Sequence, residues 1–116
     1  MSVEYRSLEK DIQLRILRYL KSIGAYAGKT KTMGVKRGRV YCVDPYTMRG
    51  KCDVEAFYNG VMYAIEVKRV GEKIEKDSAQ DLYRQFFHKP PDRIFIEAHS
   101  VDEVETIIFH TSKKGE

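Results

Sequence analysis

Asp53-Val54-Glu55-Ala56-Phe57-Tyr58, then Asn59-Gly60, then Val61-Met62-Tyr63-Ala64-Ile65-Glu66-Val67-Lys68 is the stretch whose reading decides the fold. Asn-Gly between two such runs is the strongest short hairpin signal, because a type I′ turn needs positive φ at both central residues. A two-residue loop fixes the register, so Tyr58 faces Val61, Ala56 faces Tyr63 and Asp53 faces Glu66. Side chains alternate along a strand. One face of the hairpin therefore carries Val54, Ala56, Tyr58, Val61, Tyr63, Ile65 and Val67, all apolar, and the other carries Asp53, Glu55, Phe57, Met62, Ala64, Glu66 and Lys68. Directly opposed positions have Cβ atoms roughly 5 Å apart, and like charges there are destabilising. Two acids kept in such a place imply a cation between them. Lys68, two residues past Glu66, points the same way.

Outward from the hairpin, Glu4 to Ile23 reads as a helix, with Leu8, Ile12, Ile16, Tyr19, Leu20 and Ile23 on one apolar stripe and Gly24 as its stop. Residues 25–38 read as a loop or irregular strand, and Arg39 to Val43 as a strand. After the hairpin, Ser78 to His88 reads as a helix opened by a capping box with Asp81 in its last place, and with Ala79, Leu82, Tyr83 and Phe86 on its apolar stripe. Arg93 to Ala98 reads as a buried strand. Ser100-Val101-Asp102-Glu103 is a full capping box that opens a third helix with Val101, Val104, Ile107 and Ile108 inward and a frayed tail from Thr111. The order α-β-β-β-α-β-α predicts an α/β fold, a mixed β-sheet flanked by helices.

At 116 residues, one domain over 1–116 is expected. No stretch approaches the ~20 apolar residues of a membrane span, and Met1-Ser2-Val3-Glu4-Tyr5-Arg6 has no apolar signal-peptide core. An intracellular, cytoplasmic address without membrane partners is the expectation. Cys42 and Cys52 lack CxxC spacing. Reduced thiols are the simpler reading, with a disulfide across the 42–52 loop as the alternative. His88, His99 and His110 have no ligand spacing and read as structural or exposed.

Net charge is +4, but its distribution says more. Lys29, Lys31, Lys36, Arg37, Arg39, Arg49 and Lys51 face Asp44 alone between positions 29 and 51. A concentrated basic segment is the electrostatic footprint of a polyanion, most often nucleic acid. A solvated loop that keeps the protein soluble is the plain alternative. Tyr41 and Tyr46 lie in the same segment and are placed to stack on bases or to pack at a rim.

Asp53 followed by Ile65-Glu66-Val67-Lys68 is the D…(D/E)xK pattern of the PD-(D/E)xK nucleases. Around it stand Glu9 on the first helix, Gly50 three residues before Asp53, and Gln80 in the helix twelve residues after Lys68. In this arrangement the chain resembles the VRR-NUC (virus-type replication-repair nuclease) family over nearly its whole length, from Glu9 to about Ile108. Where that family often has proline or serine before the aspartate, this chain has Cys52. Glu4 competes with Glu9 as the helix acid, and Glu9 has the better distance to Gly24.

The resemblance implies a restriction-endonuclease-like PD-(D/E)xK core and a Mg²⁺- or Mn²⁺-dependent endodeoxyribonuclease. Asp53, Glu66 and the backbone carbonyl of Val67 would hold the metal. Lys68 would orient the water or stabilise developing charge, and Glu9 and Gln80 would complete the catalytic set. It further implies a homodimer acting on branched DNA, such as Holliday junctions, in replication, repair or recombination, and leaves open a virus-encoded protein acting in a host cell. Phosphodiester hydrolysis needs charge neutralisation at phosphorus and an activated water, and two carboxylates holding a hard divalent ion supply both. Three alternatives stay open: a salt-bridge network closed by Lys68 and Lys51, a DNA-binding module without catalysis, and a nuclease of flaps or nicked duplex. The chain has neither a P-loop nor a GxGxxG sequence, which disfavours a nucleotide-binding protein.

Overall fold

The computed structural model describes residues 2–30, 35–37, 40–42 and 50–114, with side chains described over 8–30 and 50–111. It begins with helix α1 (Ser2–Ser22) and strands β1 (Tyr26–Lys29), β2 (Val35–Arg37) and β3 (Val40–Cys42). The hairpin strands are β4 (Val54–Tyr58) and β5 (Val61–Val67), followed by α2 (Ala79–Phe87), β6 (Arg93–Ala98) and α3 (Val101–Lys114). The protein is thus mixed α/β, with a four-stranded sheet in the order β1-β4-β5-β6 flanked by helices. The first two pairings are antiparallel and β5 runs parallel to β6, the two joined by the α2 crossover. Among the described residues, no helix is long and apolar enough to cross a membrane.

The turn behaves as its two residues dictate, with φ of 50° at Asn59 and 78° at Gly60. The ladder follows the expected register, with Tyr58 opposite Val61 and Ala56 opposite Tyr63. Its apolar face meets α1 and α3 in the main core, where Ile16, Leu20, Ile65, Ile96, Val104 and Ile108 are buried. Each such side chain stabilises the fold by about 2 kcal/mol. Leu8 departs from the expected stripe of α1 and is 54% exposed.

Three further expectations are corrected. The expected order had three strands before α2, whereas five precede it. β1 holds only four residues, one of them Gly28, too short for alternation to appear in the sequence. The strand expected over Arg39 to Val43 is present as β3, with Arg39 and Val43 outside the described residues, but it pairs with β2 in a separate two-stranded ribbon and not in the mixed sheet. The tail expected from Thr111 is helical as far as Lys114, and residues 115–116 lie outside the described ones. Thr111 anchors that last turn, its Oγ1 lying 2.5 Å from the Tyr63 hydroxyl.

Helix α2 is turned the other way from its apolar pattern, with Leu82 and Phe86 exposed and Asp81 and Phe87 buried. Polar clamps set this rotation. The Ser78 hydroxyl accepts from the Asp81 N–H, Asp81 Oδ2 accepts from the Asp77 N–H at 2.8 Å, and Arg84 bridges Asp81 and Glu97. Those bonds hold the Asp81 carboxyl below the usual carboxylate range. A buried acid without such partners would cost several kcal/mol, more than burying Leu82 would return.

Candidate active site

Strand β5 ends on Glu66-Val67 and hands the chain to Lys68, and most of the candidate residues gather at this end of the sheet. Glu66 is buried, at 3% exposure. The Gln80 side-chain amide donates to its Oε2 at 2.9 Å, and the Lys68 ammonium lies 3.8 Å from the same oxygen. One oxygen of a buried carboxylate therefore meets both a fixed donor and a cation.

Gln80 reaches Glu66 because of Gly50. An added Cβ at Gly50 would lie 2.3 Å from the Ala79 carbonyl carbon and 2.6 Å from the Gln80 nitrogen, and its φ is +74°. Only glycine lets the chain entering β4 lie against the first turn of α2. The spacing of Gly50 and Asp53 therefore carries a packing reason.

Asp53 departs from the expected pairing. The ladder stops at Val54 opposite Ile65, one pair short of Asp53 and Glu66. The Asp53 N–H donates instead to the Ile65 carbonyl at 3.0 Å, so the strand entry is offset there, and the Asp53 Oδ2 accepts the Val67 N–H at 2.8 Å. The carboxylate stands where a ladder carbonyl would otherwise meet Val67. The Cys52 carbonyl, the strand acceptor next to it, is engaged by the Thr30 hydroxyl. The two acids are neighbours at adjacent strand ends, but not a directly opposed pair.

Glu9 lines a small pocket of about 190 Å³ with Lys10, Gln13, Asp53 and Val67, and lies 3.7 Å from the Arg69 guanidinium. Arg69 also pairs with Glu72. The structure thus brings Glu9 to Asp53 and Val67, and brings Gln80 and Lys68 to Glu66. Only the backbone of Glu4 is described.

Of the basic residues, Lys29 ends β1 and is exposed, while Lys51 pairs with Glu55 at 2.8 Å. Lys31, Arg39 and Arg49 lie outside the described residues, as do the side chains of Lys36 and Arg37, whose backbone forms β2, and of Tyr41. Tyr46 lies outside the described residues too.

Sequence reasoning missed the polar layer behind Glu66. Glu97 is the parallel partner of Glu66 across β5 and β6. It accepts the Ile74 N–H at 3.0 Å and lies 3.6 Å from both Arg84 and His99. His99 also contacts the Glu72 carbonyl at 2.6 Å and Glu103 at 3.3 Å. The Glu72 carbonyl, foremost, and the nearby carboxylates raise its pKa. Glu97 is legible only once β6 is known to pair with β5 in this register. Cys52 is free and buried, and burial pushes its thiol up to about 11. It stays protonated at neutral pH and is no nucleophile.

Among the described residues, no three His, Cys, Asp or Glu side chains cluster to hold a metal. The donors expected from the sequence, the Asp53 and Glu66 carboxylates and the Val67 carbonyl, are all oxygens. Mg²⁺ is commonly held by one or two carboxylates, keeping several waters and taking substrate phosphates, so all-oxygen donors of this number suit it. No protein-family model, curated protein or solved structure matches the chain.

Proposed function

We propose that this chain is a Mg²⁺- or Mn²⁺-dependent, structure-specific DNA endonuclease with a PD-(D/E)xK core, acting as a homodimer on branched DNA. The observation that carries the reading is the buried Glu66 carboxylate, held by the Gln80 amide and faced by the Lys68 ammonium, one residue from the Val67 N–H that orients Asp53. A structural ion pair alone does not need an amide donor on the acid and a second acid tied to the next peptide.

In this reading, Asp53, Glu66 and the Val67 carbonyl hold the metal. When bound, it supplies Lewis acidity at the phosphoryl oxygen and an activated water. Gln80 fixes the Glu66 carboxylate. The Lys68 ammonium stabilises negative charge that develops on the phosphoryl oxygens, a role realised in the transition state. Glu9, paired with Arg69, closes the Asp53 side of the site. The cations of residues 29–51 bind phosphates without reading sequence.

The test is incubation of labelled four-way junctions, flaps, splayed arms and linear duplex with Mg²⁺, Mn²⁺ or EDTA. Wild type should cut branched DNA in either metal and not in EDTA. Lys68→Ala should lose cleavage while keeping DNA affinity. A wild-type protein that binds these DNAs and cuts none would be the non-catalytic module instead.

A further inference from the structure

The α2 side of the sheet is covered over β5 and β6 but carries two exposed rings over β1 and β4. Tyr26 is 81% exposed and Phe57 45%. They are cross-strand partners at the sheet edge, with ring centroids 6.2 Å apart and planes tilted by 37°. A tilted pair leaves each ring a face that the other does not cover. Beside them runs an open groove of about 380 Å³, lined also by Lys29, Thr30, Lys51 and Glu55.

Alternation places this platform on the same sheet face as Glu66. Phe57 lies opposite Met62, and Met62, Ala64 and Glu66 share a face. Glu66 lies four positions along β5 from Met62, about 13 Å at ~3.3 Å per residue. A few nucleotides of extended single strand span that distance. Lys29 and Lys51 are the first and last in sequence of the seven cations between positions 29 and 51, and both line the groove, Lys51 paired there with Glu55. Exposed aromatic faces beside lysines are the combination by which proteins hold single strands, with bases on rings and phosphates on ammonium groups. A peptide added to the β1 edge would use its main chain and would have no need of the two rings.

We infer that Tyr26 and Phe57 form a base-stacking platform for single-stranded nucleic acid, the unpaired arm of a branched substrate leading to the Glu66 end of the sheet. This rests on the nuclease reading for its substrate, and it adds that the protein selects single-stranded arms.

The test is fluorescence anisotropy with an oligothymidylate of about 15 nucleotides, and with a duplex of similar length, both in EDTA. Tyr26→Ala and Phe57→Ala should each weaken single-strand binding roughly tenfold. Neither should change duplex affinity or the slope of log K against log salt, because stacking releases no counterions. Tyr26→Phe should bind as wild type. Circular dichroism checks the fold, and if Phe57→Ala fails to fold, the highly exposed Tyr26 carries the test alone. Single-strand affinity within twofold of wild type, or an equal loss for duplex, overturns the platform and leaves cleavage of branched DNA standing. A wild type that binds neither probe, and no branched DNA either, overturns the nuclease reading and the platform together.

Discussion

Replacing Gly50 with alanine should destabilise the protein by about 3 kcal/mol, and two separable costs make up that figure. The first is conformational. Gly50 has φ of +74°, where an L side chain costs about 1–2 kcal/mol. The second is a collision. The new Cβ would stand 2.3 Å from the Ala79 carbonyl carbon, about 1 Å inside the 3.4 Å of ordinary contact. Its neighbours there are helix backbone, which does not rotate away, so the start of α2 must shift, and overpacking of this kind costs about 1–3 kcal/mol. For a chain of this size the total corresponds to a fall in Tm of about 10 °C. Gly24 supplies the control. It has φ of +86° and nothing within 4 Å of its missing Cβ, so Gly24→Ala reports the conformational cost alone. Urea denaturation of wild type, Gly24→Ala and Gly50→Ala separates the two costs. The shift of α2 should also carry Gln80 away from Glu66 and, on the proposed nuclease reading, lower cleavage beyond what lost stability explains. Equal destabilisation by the two substitutions would refute the close approach as the reason for glycine at position 50.

Two further expectations follow from the hydrogen bonds. Asp53→Asn keeps an amide oxygen for the Val67 N–H while removing the charge, so it should abolish metal binding in calorimetry at near wild-type stability, whereas Asp53→Ala should also lose about 1–3 kcal/mol by orphaning that donor. The raised pKa of His99 means that its protonated form stabilises the fold fully below the ordinary value near pH 6.5 and that this contribution is lost as pH rises through the raised value; His99→Gln should flatten that part of the stability profile in urea melts, and an unchanged profile would discount the Glu72, Glu97 and Glu103 contacts as its source.

The hairpin was legible because Asn59-Gly60 leaves one turn geometry and that turn sets the register of every pair up to Val54 and Ile65. Legibility ended where tertiary contacts took over. Nothing local to Asp53 shows that its side chain will replace a strand acceptor, since that depends on the offset of its own N–H to Ile65 and on the Cys52 carbonyl being engaged by Thr30, twenty-two positions earlier. The rotation of α2 is illegible in the sequence for a related reason. Its apolar positions have helical spacing, but Asp81 and Arg84 have partners only in the folded chain, at Asp77 and Glu97. The meeting of Gln80 and Lys68 with Glu66, in contrast, is anticipated by the sequence pattern.

That residues so distant in sequence meet follows from the topology of β5. It is antiparallel to β4 and parallel to β6, so its C-terminal end adjoins the start of β4 and the end of β6. The crossover must leave from that end as well, and there the first turn of α2 is pinned by Gly50. Asp53, Glu66, Lys68 and Glu97 are therefore gathered by the strand directions, and Gln80 by the crossover that Gly50 lets approach. Open α/β sheets place their ligands at this same kind of edge, outside the C-terminal ends of parallel strands. The gathering is also hard to disturb. A one-residue slip of β5 would send Glu66 to the apolar side of the sheet, and β5 is locked against it by the tight turn on one edge and by a six-residue parallel ladder, Met62 to Val67, on the other.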